Sequence, residues 1–348
     1  MRRVEDWALV PATEMAALYG AERARWRADL DWDTADTCAA LECARGDGRV
    51  PGLVVRLVNG AIDGWTYFLL HGSELQIGAL VASSPETTAL LLDAVLAAPA
   101  AAVARRTLFF AYTGAPSVET ALAQRGFDVG AEYYLVRALD GRTVSIDPHG
   151  APGPHGPIGP GGPDGPQCPN RPYGPHDRHD LGETSLRVWR DVDVEPVAEV
   201  LRAAYHGPDP RRAFVPSGAL PDWRVYVRQL TLTSGCGSFV PAASVVAVNG
   251  DRVDGAALVT RVSDTTAHLA QIAVRPTCRG HGLGARLLAQ VVAAAAAGGF
   301  PRLSLIVSDA NVRARRMYAD KGFTMQGAFV SATRARRRSA GHSGAPAA

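Results

Sequence analysis

Short apolar runs alternate with amphipathic stretches along the first part of the chain, and this pattern predicts a domain that mixes strands and helices. Runs rich in β-branched and aromatic residues, bounded by glycine, proline or polar clusters, are typical of strands. The tripeptide His71-Gly72-Ser73 predicts a tight hairpin. Strands are predicted over 53–58, 65–70, 74–81, 106–112 and 131–138, with one or two helices over 10–28 and further helices over 86–96 and 117–124.

The second part of the chain repeats this order of elements. Both parts share the series strand, helix, strand, helix, and each series ends in a basic residue followed by Gly-Phe, at Gly126-Phe127 and at Gly322-Phe323. The repetition predicts an internal duplication of one fold. This part starts near 186–190. Strands are predicted over 243–249, 255–262, 269–274 and 303–307, with helices over 194–205 and 223–230 and a third that runs to 297.

A stretch rich in glycine and proline separates the two parts. Residues 150–167 form six triplets that each begin with glycine, which are too few to hold a collagen-like triple helix unaided and predict a semi-rigid spacer. The predicted organisation is a first domain over 1–142, a Gly/Pro-rich linker over 143–181, a second domain over 182–333 and a disordered basic tail over 334–348.

Composition and charge exclude several classes of protein. Apolar residues make up 47% and charged residues 20% of the 348 residues, as in soluble globular proteins. A formal net charge of +2 gives no general attraction for nucleic acid or an acidic membrane. The five cysteines are odd in number and lack Cys-x-x-Cys spacing, which favours reduced, cytoplasmic thiols over disulfides or a zinc site. The N-terminus predicts no signal peptide, and the longest apolar run, 291–297, is too short to span a bilayer.

A glycine-rich turn at residues 279–284 is the clearest chemical signal in the chain. It joins a strand-like segment to a helical run, so it directs free backbone N–H groups at one spot beside the positive end of a helix dipole. Such a spot suits a phosphate or pyrophosphate. The turn is not a Walker A loop, because Ala285-Arg286 follows Gly284, and the glycine spacing does not fit the dinucleotide fingerprint. Other nucleotide folds remain open on these grounds.

Two motifs make the second part similar to a known family. Arg279, Gly282 and Gly284 match the pattern R/Q-x-x-G-x-G/A, and residues 311–323 match N-x-x-A-x-x-x-Y-x-x-x-G-F at every fixed position. In this order they resemble motifs A and B of the GCN5-related N-acetyltransferase (GNAT) family. The resemblance covers residues 182–333. It implies an α/β (α+β) chain with two acyl-CoA N-acyltransferase-like domains, each a mixed, largely antiparallel sheet flanked by helices.

The resemblance also implies acetyl-CoA as co-substrate, with no metal. In that family the strand before the loop holds the pantetheine arm and the thioester carbonyl, and the loop binds the pyrophosphate. The implied acetyl-CoA contacts are Ile272, Ala273, Val274, Arg279, Gly280, His281, Gly282, Leu283, Gly284, Ala285, Asn311 and Ala314.

Catalytic groups are implied by the same resemblance. Tyr318 falls where the family places the acid that protonates the sulfur of CoA. His268 stands where some members carry a glutamate base, and an imidazole can take a proton from an ammonium group. Gln271 can form hydrogen bonds but cannot act as a base. Ile306 occupies the position where other members have an acidic residue, which leaves the base uncertain on that strand.

In the family, the region between the first two helices and the second strand helps to form the acceptor pocket. Phe214, Trp223 and Tyr226 are therefore candidates to line it, together with Gln271, and ordinary core packing is the alternative for the three aromatic residues. The first half has residues 81–86 in place of the glycine loop and no Asn or Tyr at the motif B positions. We expect that half to have lost CoA binding and to serve a structural or substrate-shaping role.

The resemblance therefore implies an acetyl-CoA-dependent N-acetyltransferase that modifies the primary amine of a small molecule or a protein. We expect a cytoplasmic monomer or homodimer whose partners include a small-molecule or peptide amine, and neither nucleic acid nor membrane. Two alternatives stay open at this point. One is a regulatory protein that senses acetyl-CoA without turnover, and the other is a tandem acetyltransferase similar to mycothiol synthase.

Overall fold

A computed structural model describes residues 2–139, 184–207, 214–215, 217–233 and 236–336. The predicted linker over 143–181 and residues 337–348 of the predicted tail lie outside the described residues, so both stay predictions. Across the described ranges, no helix is long and apolar enough to cross a membrane.

The first half contains the strands and helices predicted from its apolar pattern, with three additions. The turn at Gly72 has φ 58°, as the predicted hairpin requires, and Ser84 caps the third helix by accepting from Thr87 N at 3.2 Å. The additions are β1, α2 and α4. The strands are β1 Arg2–Asp6, β2 Gly52–Leu57, β3 Ile62–His71, β4 Glu74–Ala82, β5 Arg106–Ala111 and β6 Asp128–Ala138; the helices are α1 Ala12–Leu30, α2 Ala35–Gly46, α3 Pro85–Ala97, α4 Pro99–Val103 and α5 Val118–Gln124.

The second half repeats this succession. Its strands are β7 Ser185–Val188, β8 Ser238–Phe239, β9 Val245–Asn249, β10 Arg252–Arg261, β11 Thr266–Val274, β12 Arg302–Ser308 and β13 Thr324–Ala335; its helices are α6 Val194–Tyr205, α7 Leu220–Leu232, α8 Leu283–Ala297 and α9 Val312–Asp320. The last strand extends past the predicted domain boundary at 333, since Arg334 and Ala335 pair with Thr107 and Arg106 of β5.

The strands of the described residues join one 13-stranded sheet, in which each half gives its last strand to the other. The order is β1-β2-β3-β4-β5-β13-β6-β12-β11-β10-β9-β7, with β8 beside β10. Strand β13 of the second half lies against β5, and β6 of the first half lies against β12. Hence the sheet of each half is completed by a strand from the other, which the pattern of apolar residues does not reveal.

Helices cover both faces of the sheet around the second half. Apolar residues of α8 and α9 pack on one face, against Leu269 of β11 and Leu305 of β12. Helices α6 and α7 pack on the opposite face, against Leu258 of β10 and Ala273 of β11. We call these the α8 face and the α6 face.

A cluster of aromatic residues joins the two halves on the α6 face. Trp32, which follows α1, packs against Tyr134 of β6 and Phe329 of β13. The carboxylate of Asp31 accepts hydrogen bonds from Ser263 at 3.1 Å and from Thr266 at 2.7 Å, and so fixes the turn between β10 and β11 to the end of α1. The two halves therefore meet through packed side chains as well as through the exchanged strands.

Candidate functional site

An opening in the sheet lies between β11 and β12. The two strands pair in parallel from Thr266–Arg302 to Leu269–Leu305. Beyond that pair β11 runs on to Val274 and β12 to Ser308, and within the described ranges no strand pairs with the facing edges. The backbone groups of residues 270–274 on that edge are therefore available to a ligand that lies in the opening.

A β-bulge in β11 marks the point where the opening begins. Its register with β10 passes from Leu258–Gln271 to Val259–Leu269, so Ala270 has no partner residue there. A bulge adds twist and re-aims the strand locally. This places the bend at the mouth of the opening.

The glycine loop lies exposed at the end of β11. Gly280 and Gly282 have φ of 88° and 78°, and a methyl group built on either would meet open space. Helix α8 begins at Leu283, and no side chain of the described residues caps its N-terminus. The N–H groups of the loop and of the first helical turn, with the helix dipole behind them, form a surface suited to an anion.

Arg279 anchors this loop to the surrounding elements. Its guanidinium donates to the carbonyl of Ala204 in α6 at 2.6 Å and to the carbonyl of Val274 at 3.3 Å. Its side chain is thus turned toward protein carbonyls, and it shapes the loop from behind. The predicted direct contact of Arg279 with a pyrophosphate stays a prediction.

Helix α9 approaches the loop from the α8 face. A methyl group on Gly284 would lie 3.9 Å from Met317 Sδ and 3.9 Å from Val274 Cγ2, so β11, α8 and α9 converge there. Asn311 caps α9, because its Oδ1 accepts from Ala314 N at 3.2 Å. The amide nitrogen of Asn311, which is exposed, is the part of this side chain left to meet a ligand.

The remaining predicted acetyl-CoA contacts divide between the two faces. Ile272 and Val274 pack toward the α8 face, and Ala273 packs toward the α6 face. His281 is exposed on the loop, whereas Leu283 is buried under α8 and holds that helix in place. Ala285 lies half-buried in the first turn of α8. The structure thus brings the predicted strand and loop residues together at one end of the opening.

Tyr318 is buried on α9, with its ring 5.8 Å from that of Phe323. Burial, and after it the neighbouring Tyr205, raise the pKa of Tyr318, so its hydroxyl stays protonated and can donate. Tyr205 ends α6 on the α6 face, whereas Tyr318 belongs to the α8 face. Tyr205 and Tyr318 can interact electrostatically from opposite faces because the sheet is interrupted at the opening.

An aromatic and amide cluster lines the α6 face of the opening. Gln271 of β11 accepts from the Tyr205 hydroxyl at 2.9 Å and donates to the Tyr226 hydroxyl at 2.6 Å. Phe214 stacks on Tyr226 with ring centroids 5.2 Å apart. Trp223 is fully buried and stacks on Tyr205 at 5.2 Å, which favours core packing over pocket lining for Trp223.

Tyr205 is the member of this cluster that sequence reasoning missed. It is the last residue of a helix and falls before the segment that the family resemblance marks as the acceptor region. The apolar periodicity of α6 could have identified it, because that periodicity puts Tyr205 on the same side of the helix as Val197 and Leu201. The candidate acceptor surface therefore comprises Tyr205, Phe214, Tyr226 and Gln271.

His268 lies deep between the halves. It is 4% exposed, its Nδ1 is 2.9 Å from Ser304 Oγ, and its ring centroid is 4.9 Å from that of Trp32. Burial lowers the pKa of His268 to about 3, so the ring is neutral near pH 7. This geometry favours packing between the halves over the predicted role as a catalytic base.

The corresponding place in the first half is filled by that half's own groups. The N-terminus of α3 is capped by Ser84, and the carboxylate of Asp63 beside it accepts from Ser83 and Thr87 and pairs with Arg2 at 3.1 Å. The Thr113 hydroxyl donates to the carbonyl of Leu80, across the gap between β4 and β5. The helix end is therefore occupied by groups of the chain itself, which supports the predicted loss of CoA binding.

Within the part of the chain that the structure describes, no group of three or more His, Cys, Asp or Glu side chains could hold a metal ion.

Residues 202–323 match the model of the acetyltransferase (GNAT) family. A GCN5-related N-acetyltransferase from Sphaerobacter thermophilus is 17% identical, with 96% of each chain covered and a TM-score of 0.61. A GCN5-related glucosamine N-acetyltransferase region of a fungal multi-domain GH3 β-N-acetylglucosaminidase is 13% identical; the match covers 96% of this chain and 38% of that one, with a TM-score of 0.59. At these identities both show the fold alone. No curated protein matches the sequence.

Proposed function

We propose that this chain, whose residues 202–323 belong to the acetyltransferase (GNAT) family, moves the acetyl group of acetyl-CoA directly to the primary amine of a small molecule or peptide. The observation that carries the proposal is the opening between β11 and β12. There, among the described residues, a strand edge without a pairing strand leads to a helix N-terminus without a side-chain cap. A ligand with amide groups along a narrow arm and a pyrophosphate at its end fits both features.

The residues of the opening divide the work of binding. Acetyl-CoA supplies the acetyl group in activated form, as a thioester. The loop N–H groups from Gly280 to Gly284 would hold the pyrophosphate oxygens, and the free edge of β11 from Ala270 to Val274 would hydrogen-bond the pantetheine amides. A backbone N–H on that edge would polarise the thioester carbonyl, which stabilises negative charge on its oxygen during attack.

The two faces of the sheet would then serve the two reacting partners. The amine enters on the α6 face, against the hydroxyls of Tyr205 and Tyr226 and the amide of Gln271. Tyr318 stands on the α8 face and stays protonated near pH 7, so it can give its proton to the departing sulfur. Acceptor and acid thus approach the acetyl carbon from different faces.

We also propose that the chain works in the cytoplasm as a monomer or homodimer. The cytoplasmic location is supported by four cysteines of the described residues, Cys38, Cys43, Cys236 and Cys278, which are free thiols.

The experiment is a turnover assay on the full chain. Acetyl-CoA is mixed with glucosamine, kanamycin or an alanyl tripeptide. The released CoA thiol is measured by absorbance with a thiol-reactive reagent, and the acetylated amine is identified by mass spectrometry. We expect amine-dependent thiol release with at least one of the three. Calorimetric binding of acetyl-CoA without release for any amine would replace this proposal with the sensor alternative.

A further inference from the structure

We propose that Glu132, on the last strand of the first half, is the carboxylate that takes the proton from the amine acceptor in the site of the second half. The inference rests on the proposed acetyl transfer. It assigns a catalytic role to the half that carries neither family motif.

Glu132 lies beside the opening because of the strand exchange. Strand β6 pairs with β12, and Glu132 stands directly opposite Ser308, the last residue of β12. Side chains opposite each other in an antiparallel pair have Cβ atoms about 4.5–5.5 Å apart. Ser308 lies beyond Leu305, the residue at which β12 parts from β11. The Glu132 carboxylate accepts a hydrogen bond from Ser308, so it is held against the strand that borders the opening.

The side chain of Glu132 belongs to the α6 face. Successive residues of a strand point to opposite faces. Tyr133 lies under Arg315 of α9, 4.8 Å from the guanidinium carbon, and so marks the α8 face. Tyr134 stacks on His268, with ring centroids 6.2 Å apart. His268 is opposite Thr260 of β10, which lies two residues from Leu258 and so shares its α6 face. Tyr134 therefore belongs to the α6 face. Glu132 shares the face of Tyr134, on which Gln271 holds Tyr205 and Tyr226.

The position supplies a carboxylate near residue 306 of β12. Ile306 of β12 stands where family resemblance places an acidic residue, and it pairs with Tyr134. Ser308 and Glu132 lie one two-residue step further along the same face, which is about 6.7 Å. The carboxylate thus comes from the neighbouring strand, close to the place that Ile306 leaves apolar.

The surroundings of Glu132 suit a base that works near neutral pH. Burial raises the pKa of Glu132 to about 7, and hydrogen bonds from Ser308 and Ser331 act against this rise. Among the charged groups of the described residues, Asp309, which follows β12, raises the pKa further, and β13 presents Ser331 and Phe329. A base with its pKa near the working pH transfers protons efficiently.

Each proton that moves in this reaction has a donor and an acceptor. The acceptor ammonium gives one proton to Glu132, and the free amine forms the C–N bond as the C–S bond breaks. The sulfur takes a proton from Tyr318, and the nitrogen gives up its second proton, which restores Tyr318. The products are the amide and the CoA thiol, and the one proton on Glu132 passes to water.

The test compares Glu132→Gln with the full-length wild type, using the amine among glucosamine, kanamycin and an alanyl tripeptide that gives the highest wild-type rate. We expect kcat/KM for the amine to fall about 100-fold at pH 7, the scale of general-base catalysis. The Kd of acetyl-CoA should stay within twofold. Above pH 7 the wild-type rate should level off, whereas the variant rate should keep rising toward the pKa of the amine. Glu119→Gln, an exposed carboxylate on α5, is the matched control.

A second variant tests the role without removing the carboxylate. The hydrogen bond from Ser308 lowers the pKa of Glu132. In Ser308→Ala, the acidic limb of the pH profile of kcat/KM should therefore lie at higher pH than in the wild type. Two results would overturn the role of Glu132 and leave acetyl transfer intact. One is a Glu132→Gln variant whose kcat/KM lies within twofold of that of an active wild type, and the other is a Ser308→Ala variant whose acidic limb stays at the wild-type pH. Absence of turnover by the wild type would instead overturn the proposed function, and this inference with it.

Discussion

Gly78 of β4 and Ala270 of β11 hold equivalent places in the two halves of the sheet. Each of the two residues has no partner in the neighbouring strand. Between β3 and β4, the pair Tyr67–Ala79 is followed by Phe68–Ile77, which leaves out Gly78, and the pairing of β10 with β11 leaves out Ala270 in the same way. In both halves the parallel pair parts one residue earlier, at Ile77 and at Leu269. The duplication therefore extends to the irregularity that opens the sheet, and the halves differ in what fills the opening.

Replacement of Gly78 tests how tightly the first half is filled. A methyl group at this position would overlap the ring of Tyr67, which stacks on Trp7 and has little freedom to move. Gly78→Ala should therefore lower the free energy of unfolding by about 2 kcal/mol, measured by urea titration. Gly114→Ala is the control, because a methyl group there would stay 3.8 Å from Arg25. Equal stability of the two variants would mean that the opening of the first half is loosely packed.

Removal of the Tyr318 hydroxyl separates catalysis from binding. Tyr318→Phe keeps the ring against Phe323 but deprives the sulfur of its acid, so kcat should fall about 100-fold. The Kd of acetyl-CoA, measured by calorimetry, should change less than twofold. Tyr67→Phe, which removes the hydroxyl of a half-buried tyrosine of the first half, is the control. If Tyr318→Phe turned over at the wild-type rate, another group would have to protonate the sulfur.

A carboxylate placed at the start of α8 should mimic the first half. Gly282→Asp would put a negative charge at the helix end, where Ser84 and Asp63 stand in the other copy. Asp tolerates positive φ better than most residues and caps helices, so we expect little change in melting temperature. Repulsion of the pyrophosphate should weaken acetyl-CoA binding at least tenfold. Gly250→Asp, at φ 56° in the turn before β10, controls for strain, and its affinity for acetyl-CoA should equal that of the wild type.

The burial of His268 makes stability depend on pH. Its pKa is about 3 in the folded chain, against 6.5 for an unperturbed histidine, so the unfolded chain takes up the proton first as pH falls, and stability is lost between pH 6.5 and 3. From pH 7.5 to pH 5 the wild type should lose about 2 kcal/mol relative to His268→Phe. The raised pKa of Glu132 makes stability depend on pH with the opposite slope. Because Glu132 is present in both proteins, its effect cancels in the difference between the wild type and His268→Phe. Parallel curves for wild type and His268→Phe would contradict the burial of His268.

The sequence predicts the local elements of this fold well and their partners poorly. The loop residues Arg279 to Gly284 and the start of α9 at Asn311 follow from motifs that act within a few residues of backbone. Nothing local shows that β6 will leave its own half to pair with β12, so Glu132 gave no signal as a site residue. The burial of His268 gave no local signal either, since Trp32, whose ring packs against it, comes from the other half.

Acetyl-CoA binding by the second half is tested most directly by a calorimetric titration of acetyl-CoA into the full chain, repeated with Gly282→Asp. We expect one site per chain in the wild type and at least tenfold weaker binding in the variant, because among the described residues the second half alone leaves its opening and its helix N-terminus to a ligand. Two sites per chain, or one site whose affinity Gly282→Asp leaves unchanged, would contradict it and move acetyl-CoA binding to the first half or to both.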